Sequence, residues 1–193
     1  MRRLAILVIF LSLVAAAIAQ FGMGQMLSSP FMCMSRPDIR KELKLTKDQN
    51  KQVDAIVKDV MASARNQSDP MGGMRKMTEA DKQILDLLDD NQKKRLGEIR
   101  IQMRGPAAIL DEDVSKPLGL SEDQIKQAHD LQSAYMNELL GMMQHPSPSM
   151  SKTADKKRDE NDAKLMAVLT DAQREQFKAM QGAPFKNARL KGT

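Results

Sequence analysis

The sequence predicts an all-α protein: two long, kinked helical hairpins in tandem, packed together. Three observations carry that expectation. A short pattern of Leu, a hydroxyl residue, two variable positions and Gln is written three times, as LTKDQ from Leu45, LSEDQ from Leu120 and LTDAQ from Leu169. Apolar residues recur at helical spacing behind these motifs. The chain also matches itself in two shifted blocks, the mark of a tandem duplication.

From the N-terminus, Arg2 and Arg3 precede the 16-residue apolar run Leu4 to Ala19, which ends in the small-x-small site Ala17-Ile18-Ala19. This order of parts predicts a signal peptide over residues 1–19, cleaved near Gln20, and a periplasmic or secreted location. The run is short of the ~20 residues a membrane-crossing helix needs, so an uncleaved anchor is the less favoured alternative. Cys33 lacks a Leu-small-small context, which argues against lipid attachment there. Residues 20–36 are expected to be a flexible Met-rich segment.

Helix starts come next. In a capping box, a Ser or Thr at the N-cap accepts from the N3 backbone N–H, and Gln at N3 accepts in return from the N-cap N–H. Leu45, Thr46 and Gln49 fit the pattern, as do Leu120, Ser121 and Gln124, and Leu169, Thr170 and Gln173. Asp89 with Gln92 is a fourth and less typical case, since Asp caps well but completes the box less often. Val53, Ile56, Val57, Val60 and Ala64 form the stripe behind the first box, Leu96, Ile99 and Met103 that behind the Asp box, and Ala128, Leu131, Tyr135, Leu139 and Met142 that behind the Ser121 box.

A shift of 75 positions, from Leu45 to Leu120, carries Ile39, Leu43 and Gln49 onto Val114, Leu118 and Gln124. A shift of 81, from Gln92 to Gln173, carries Ile84, Leu88 and Leu96 onto Leu165, Leu169 and Phe177. The difference places an insertion in the loops expected at Asn66 to Met74 and Met142 to Ser151, both rich in turn formers. Arg104-Gly105-Pro106 is the expected break. The first hairpin is thus assigned to residues 37–104, the second to 105–182, and a disordered basic tail to 183–193. A lone hairpin has little to bury its apolar stripe against, which is why pairing of the copies, or of chains, is expected.

These repeated motifs, together with long amphipathic stretches and a signal peptide, resemble the LTxxQ-motif family of exported envelope-stress proteins, the Spy/CpxP-like proteins. The resemblance covers roughly residues 37–182, and this chain departs from the pattern by carrying two copies in tandem and by writing one motif as LDDNQ. It implies curved helical hairpins that pair into a cradle, here as a pseudo-dimer within one chain, and a role in envelope stress.

Composition narrows the chemistry. The 193 residues include five Phe, one Tyr, no Trp and sixteen Met, with a mean hydropathy of −0.46. Met supplies an adaptable apolar surface in place of rigid aromatics. A single Cys excludes an internal disulfide framework, though Cys33 is open to pairing with another chain. Loss of Arg2 and Arg3 lowers the formal charge from +5 to +3, 28 basic residues against 25 acidic, too mixed to point to nucleic acid.

Neither His129, in a predicted helix, nor His145, in a Pro/Ser loop, sits in a nucleophile or phosphate-binding setting, so no enzyme is expected. Two kinds of site remain. Met32, Cys33 and Met34, with Met23, Met26, Met71, Met74 and Met77 elsewhere, offer soft ligands suited to copper in its cuprous state, although abundant Met also serves simply as apolar surface. Val53, Val57, Val60, Met61, Met103, Met136, Leu139, Met142 and Met143 are candidates for lining a concave client-binding face, with Lys51, Lys58, Arg95 and Arg100 steering acidic segments. For any one of them, sealing hairpin against hairpin is the simpler role. The functions left open are ATP-independent holding of unfolded or envelope proteins, metal binding in resistance or sensing, and docking on a specific envelope partner. A homodimer is open, and no stable membrane insertion is expected after cleavage.

Overall fold

The computed structural model describes residues 28–64, 70–144 and 148–188. The expected signal peptide, Met23, Met26, His145 and the end of the expected basic tail lie outside the described residues. Among those described, all regular structure is helical, with no strand. The order is α1 (Pro30–Met34), α2 (Pro37–Glu42), α3 (Lys47–Ala64), α4 (Pro70–Leu87), α5 (Asp90–Arg104), a 3-10 helix (Gly105–Leu110), α6 (Glu112–Ser115), α7 (Glu122–Gln144), α8 (Met150–Val168) and α9 (Asp171–Met180). The all-α expectation holds. Helix α4 starts at Pro70 and α7 runs to Gln144, so both expected loops are shorter than their turn-forming composition suggested. Proline is well tolerated in a first helical turn, where its missing N–H is no loss.

The chain divides into two compact units. The first comprises residues 28–103 together with 181–188, and the second residues 104–180. Residues 181–188 therefore belong with residues 28–103, which no periodicity announced.

In the first unit α3 and α4 pack together and run antiparallel, since the start of α3 meets the end of α4 through a 2.8 Å bond from Gln49 Nε2 to the Leu87 carbonyl. Ile39, Leu43, Val53, Val60, Ala80, Ile84, Leu88, Leu96 and Ile99 form the core, and α1 adds Phe31, Cys33 and Met34. This corrects the flexible segment assigned to residues 20–36, at least for its described part. Helix α1 is short and has no periodic stripe to advertise it, but its N-terminus is doubly satisfied. Ser29 Oγ accepts from the Met32 N–H at 3.3 Å, and the Asp81 carboxylate of α4 accepts from the Phe31 N–H at 2.7 Å.

Residues 181–188 correct the disordered tail in the same way, over its described part. Gly182, at φ +60°, ends α9 in the left-handed region, and a side chain there would collide with the Glu98 carboxylate. Beyond it, Phe185 packs on the core of the first unit.

In the second unit α7 packs on α8, and the 3-10 helix touches both. Lys157 pairs with Glu138 at 3.0 Å across the two helices, and Gln124 Nε2 reaches the Val168 carbonyl at 2.9 Å, so this pair is antiparallel as well. Ala108, Ile109, Val114, Leu118, Ala128, Leu165, Val168, Leu169 and Phe177 are buried. Arg104 and Asp111 pair at 3.0 Å with side chains only 7% and 8% exposed.

The two shifts seen in the sequence reappear as burial. Cys33, Met34, Ile39, Leu43 and Val53 are buried, and so are Ala108, Ile109, Val114, Leu118 and Ala128, each 75 positions on. Ala80, Ile84, Leu88 and Leu96 are matched 81 positions on by buried Asn161, Leu165, Leu169 and Phe177. The backbone repeats too. Lys44 at φ 52° and Gly119 at φ 60° hold the same left-handed position just before each first motif.

Candidate functional site

Each motif makes both bonds of its capping box. The Gln side-chain oxygen accepts from the cap N–H at 2.9 Å in Thr46 with Gln49 and at 3.0 Å in the other three, Asp89 with Gln92, Ser121 with Gln124 and Thr170 with Gln173. The return bonds to Thr46, Asp89, Ser121 and Thr170 lie between 2.8 and 3.3 Å. The Asp89 box is as complete as the rest.

The same glutamines have a second task, which sequence spacing did not reveal. Gln49 Nε2 donates to Gln92 Oε1 at 2.7 Å, and Gln92 Nε2 donates back to Gln49 Oε1 at 3.1 Å. In the second unit Gln124 and Gln173 repeat the exchange at 2.7 and 3.2 Å. Each amide also donates to a carbonyl at a helix end: Gln49 to Leu87, Gln92 to Leu43, Gln124 to Val168 and Gln173 to Leu118. Capping alone admits Glu or Gln at N3. Only Gln can accept with its oxygen while donating with its nitrogen. The motif is therefore a clasp that fastens the start of one helix to the end of its neighbour, and a signal for this was present in the strict use of Gln at all four positions.

The client-binding candidates separate by burial. Val53 and Val60 are 0% and 5% exposed and belong to the first core, so neither is available to a client. Val57 packs against that core, as does half-buried Met103, whose sulfur lies 3.9 Å from both Cys33 Sγ and Arg36 Nη1. Met61 is 47% exposed. On α7, Met136, Leu139 and Met142 are half-buried. Beside them Leu140 and Met143 are 46% and 64% exposed.

The metal candidates fare differently from their sequence reading. Cys33 and Met34 are fully buried, and Met32 is half-buried. The Cys33 thiol lies 3.6 Å from the Ser28 carbonyl, and burial pushes its pKa up to about 12 against the opposing pull of Arg100 and Arg36. Soft-metal binding requires the thiolate, which this setting disfavours. The same burial removes Cys33 from the mobile setting in which an intermolecular disulfide was left open. Among the described residues no three His, Cys, Asp or Glu side chains gather as a metal cluster, and His129 is exposed on α7.

Among the described residues no helix is long and apolar enough to cross a membrane. No family model, curated protein or solved structure matches the chain.

Proposed function

We propose that the chain is an exported, non-enzymatic helical binding protein that holds unfolded or envelope proteins without ATP, as a holding chaperone or stress adaptor of the cell envelope. The observation that carries this reading is the far end of the second unit. Helix α7 is 23 residues long, yet Ala128 is the one residue it buries among those described. Toward its end Leu140 and Met143 stand 46% and 64% exposed beside half-buried Met136, Leu139 and Met142. Unbranched Met and neighbouring Leu on a thin two-helix layer form a surface that repacks around varied apolar segments. The LTxxQ-type motifs support the reading by resemblance, and the leader-like N-terminus supports an envelope location.

The test is light scattering from a reduced, aggregating client with an equal molar amount of the mature chain and no ATP. Suppression is expected, and Leu140→Ser with Met143→Ser should weaken it severalfold while leaving the helical circular dichroism unchanged. A folded chain that leaves aggregation unaffected defeats general holding in favour of a partner-specific role.

A further inference from the structure

Residues 181–188 are held on the first unit largely by their main chain. Gln102 Nε2 donates to the carbonyls of Gln181 and Ala183 at 2.5 and 2.8 Å, while Gln102 Oε1 accepts from the Phe185 N–H at 2.8 Å. Arg95 Nη1 donates to the Ala183 carbonyl at 2.7 Å, and Arg36 Nη2 to the Asn187 carbonyl at 2.9 Å. Two side chains of the segment are read as well. Phe185 packs on the core edge with the Arg36 guanidinium 5.7 Å from its ring centroid, and Asn187 Nδ2 donates to Asp38 Oδ2 at 3.0 Å.

The receptor side chains are fixed by contacts of their own. Arg36 makes paired bonds of 3.1 and 2.7 Å to Asp38, and Arg95 bonds Glu42 at 2.7 Å and Glu98 at 2.8 Å. A preset array that reads main-chain groups and one aromatic ring is tolerant of sequence, and little ordering is needed to fill it.

We propose that this surface is a peptide-binding site filled in cis by residues 181–188, and that a polypeptide segment carrying an aromatic residue takes it in trans, in the same turned conformation, when the C-terminal segment lifts. The site is made by residues of the first unit, and the exposed end of α7 belongs to the second. Its occupancy is read by binding alone, so failure here is distinguishable from failure of the aggregation assay. A tethered competitor acts at an effective concentration of about millimolar, which lowers the apparent affinity of an outside peptide by the fraction of open sites.

The experiment uses a fluorescent peptide with the sequence of residues 182–188, titrated against the full chain and against the full chain carrying Gly182→Ala and Phe185→Ala. The double variant should bind at least about tenfold more tightly than the unaltered chain. Adding Gln102→Ala to it should abolish the gain, and a peptide with Ala in place of Phe should bind about tenfold more weakly. Equal binding to both chains, or a gain that survives Gln102→Ala, overturns the proposal. Should the double variant fail to fold, hydrogen exchange on the unaltered chain decides. Excess peptide should speed exchange at the chain's own Phe185 amide, and unchanged exchange there overturns the proposal.

Discussion

At positions related by the internal repeat, the first unit places Val53 and Ala80 where the second places Ala128 and Asn161, and all four are buried. The second unit thus fills the same interior with a smaller side chain and a polar one, Asn161 being satisfied by a 3.2 Å bond to Gln132. It also buries the Arg104–Asp111 pair, whereas the Arg36–Asp38 pair of the first unit reaches solvent. The clasp is common to both, and its glutamines are the part least changed. Hydrogen-bond geometry constrains residue type more tightly than apolar filling does, because filling asks chiefly for volume and patterning.

The largest expected effect is at the buried pair. Asp111→Ala leaves a cation in the second unit without its carboxylate and should cost about 3–5 kcal/mol in urea denaturation. Asp38→Ala, at a side chain 34% exposed, should cost about 1 kcal/mol or less. Similar losses at the two sites would refute the difference drawn between the units.

Next come the clasps. Gln92→Glu keeps the cap acceptor but turns a donor into a charge facing Gln49 Oε1 and the Leu43 carbonyl, at a residue only 8% exposed. The expected loss is about 2–4 kcal/mol, against about 1–2 at half-exposed Gln173→Glu. If both are neutral, as capping alone would allow, the clasp contributes nothing.

A smaller effect depends on pH. The hydrogen bond from Arg36, aided by Asn187 and opposed by burial, lowers the Asp38 pKa from 3.8 to about 2. A carboxyl depressed on folding contributes stability that is whole above its unfolded pKa and lost as pH falls through the folded one. Thermal melts should therefore lose about 1 kcal/mol between about pH 4 and about pH 2, a value discounted for solvent exposure, and Asp38→Asn should flatten that slope.

The smallest effect concerns the repeated left-handed position. Lys44→Gly should gain about 0.5–1 kcal/mol, since a side chain at φ 52° is strained where glycine is free. Gly119→Ala should lose about 1 kcal/mol although nothing lies within 4 Å of the added carbon, so that the backbone alone accounts for the loss.

Helix starts were legible because a capping box is local, and the repeated pattern of buried positions was legible because it recurs at fixed shifts. The clasp was half legible, since spacing shows what a glutamine does to its own helix and nothing of a partner some forty residues away (Gln49 to Gln92). Val53 and Val60 were offered to clients because an amphipathic stripe does not say what covers it, and α4, packed against α3, supplies cover. Cys33 and Met34 looked mobile because a five-residue helix has no period to read. The docked C-terminal segment was invisible because it too has no period, and its bonds are made largely by main-chain groups common to every sequence.

That docking has a consequence for the order of events during synthesis. A ribosome delivers the first unit's helices early, but Phe185 and Asn187 emerge only after the whole second unit has been made. Until then Arg36, Arg95 and Gln102 face water or whatever nascent chain is at hand, and the first unit is completed only when residues 181–188 arrive.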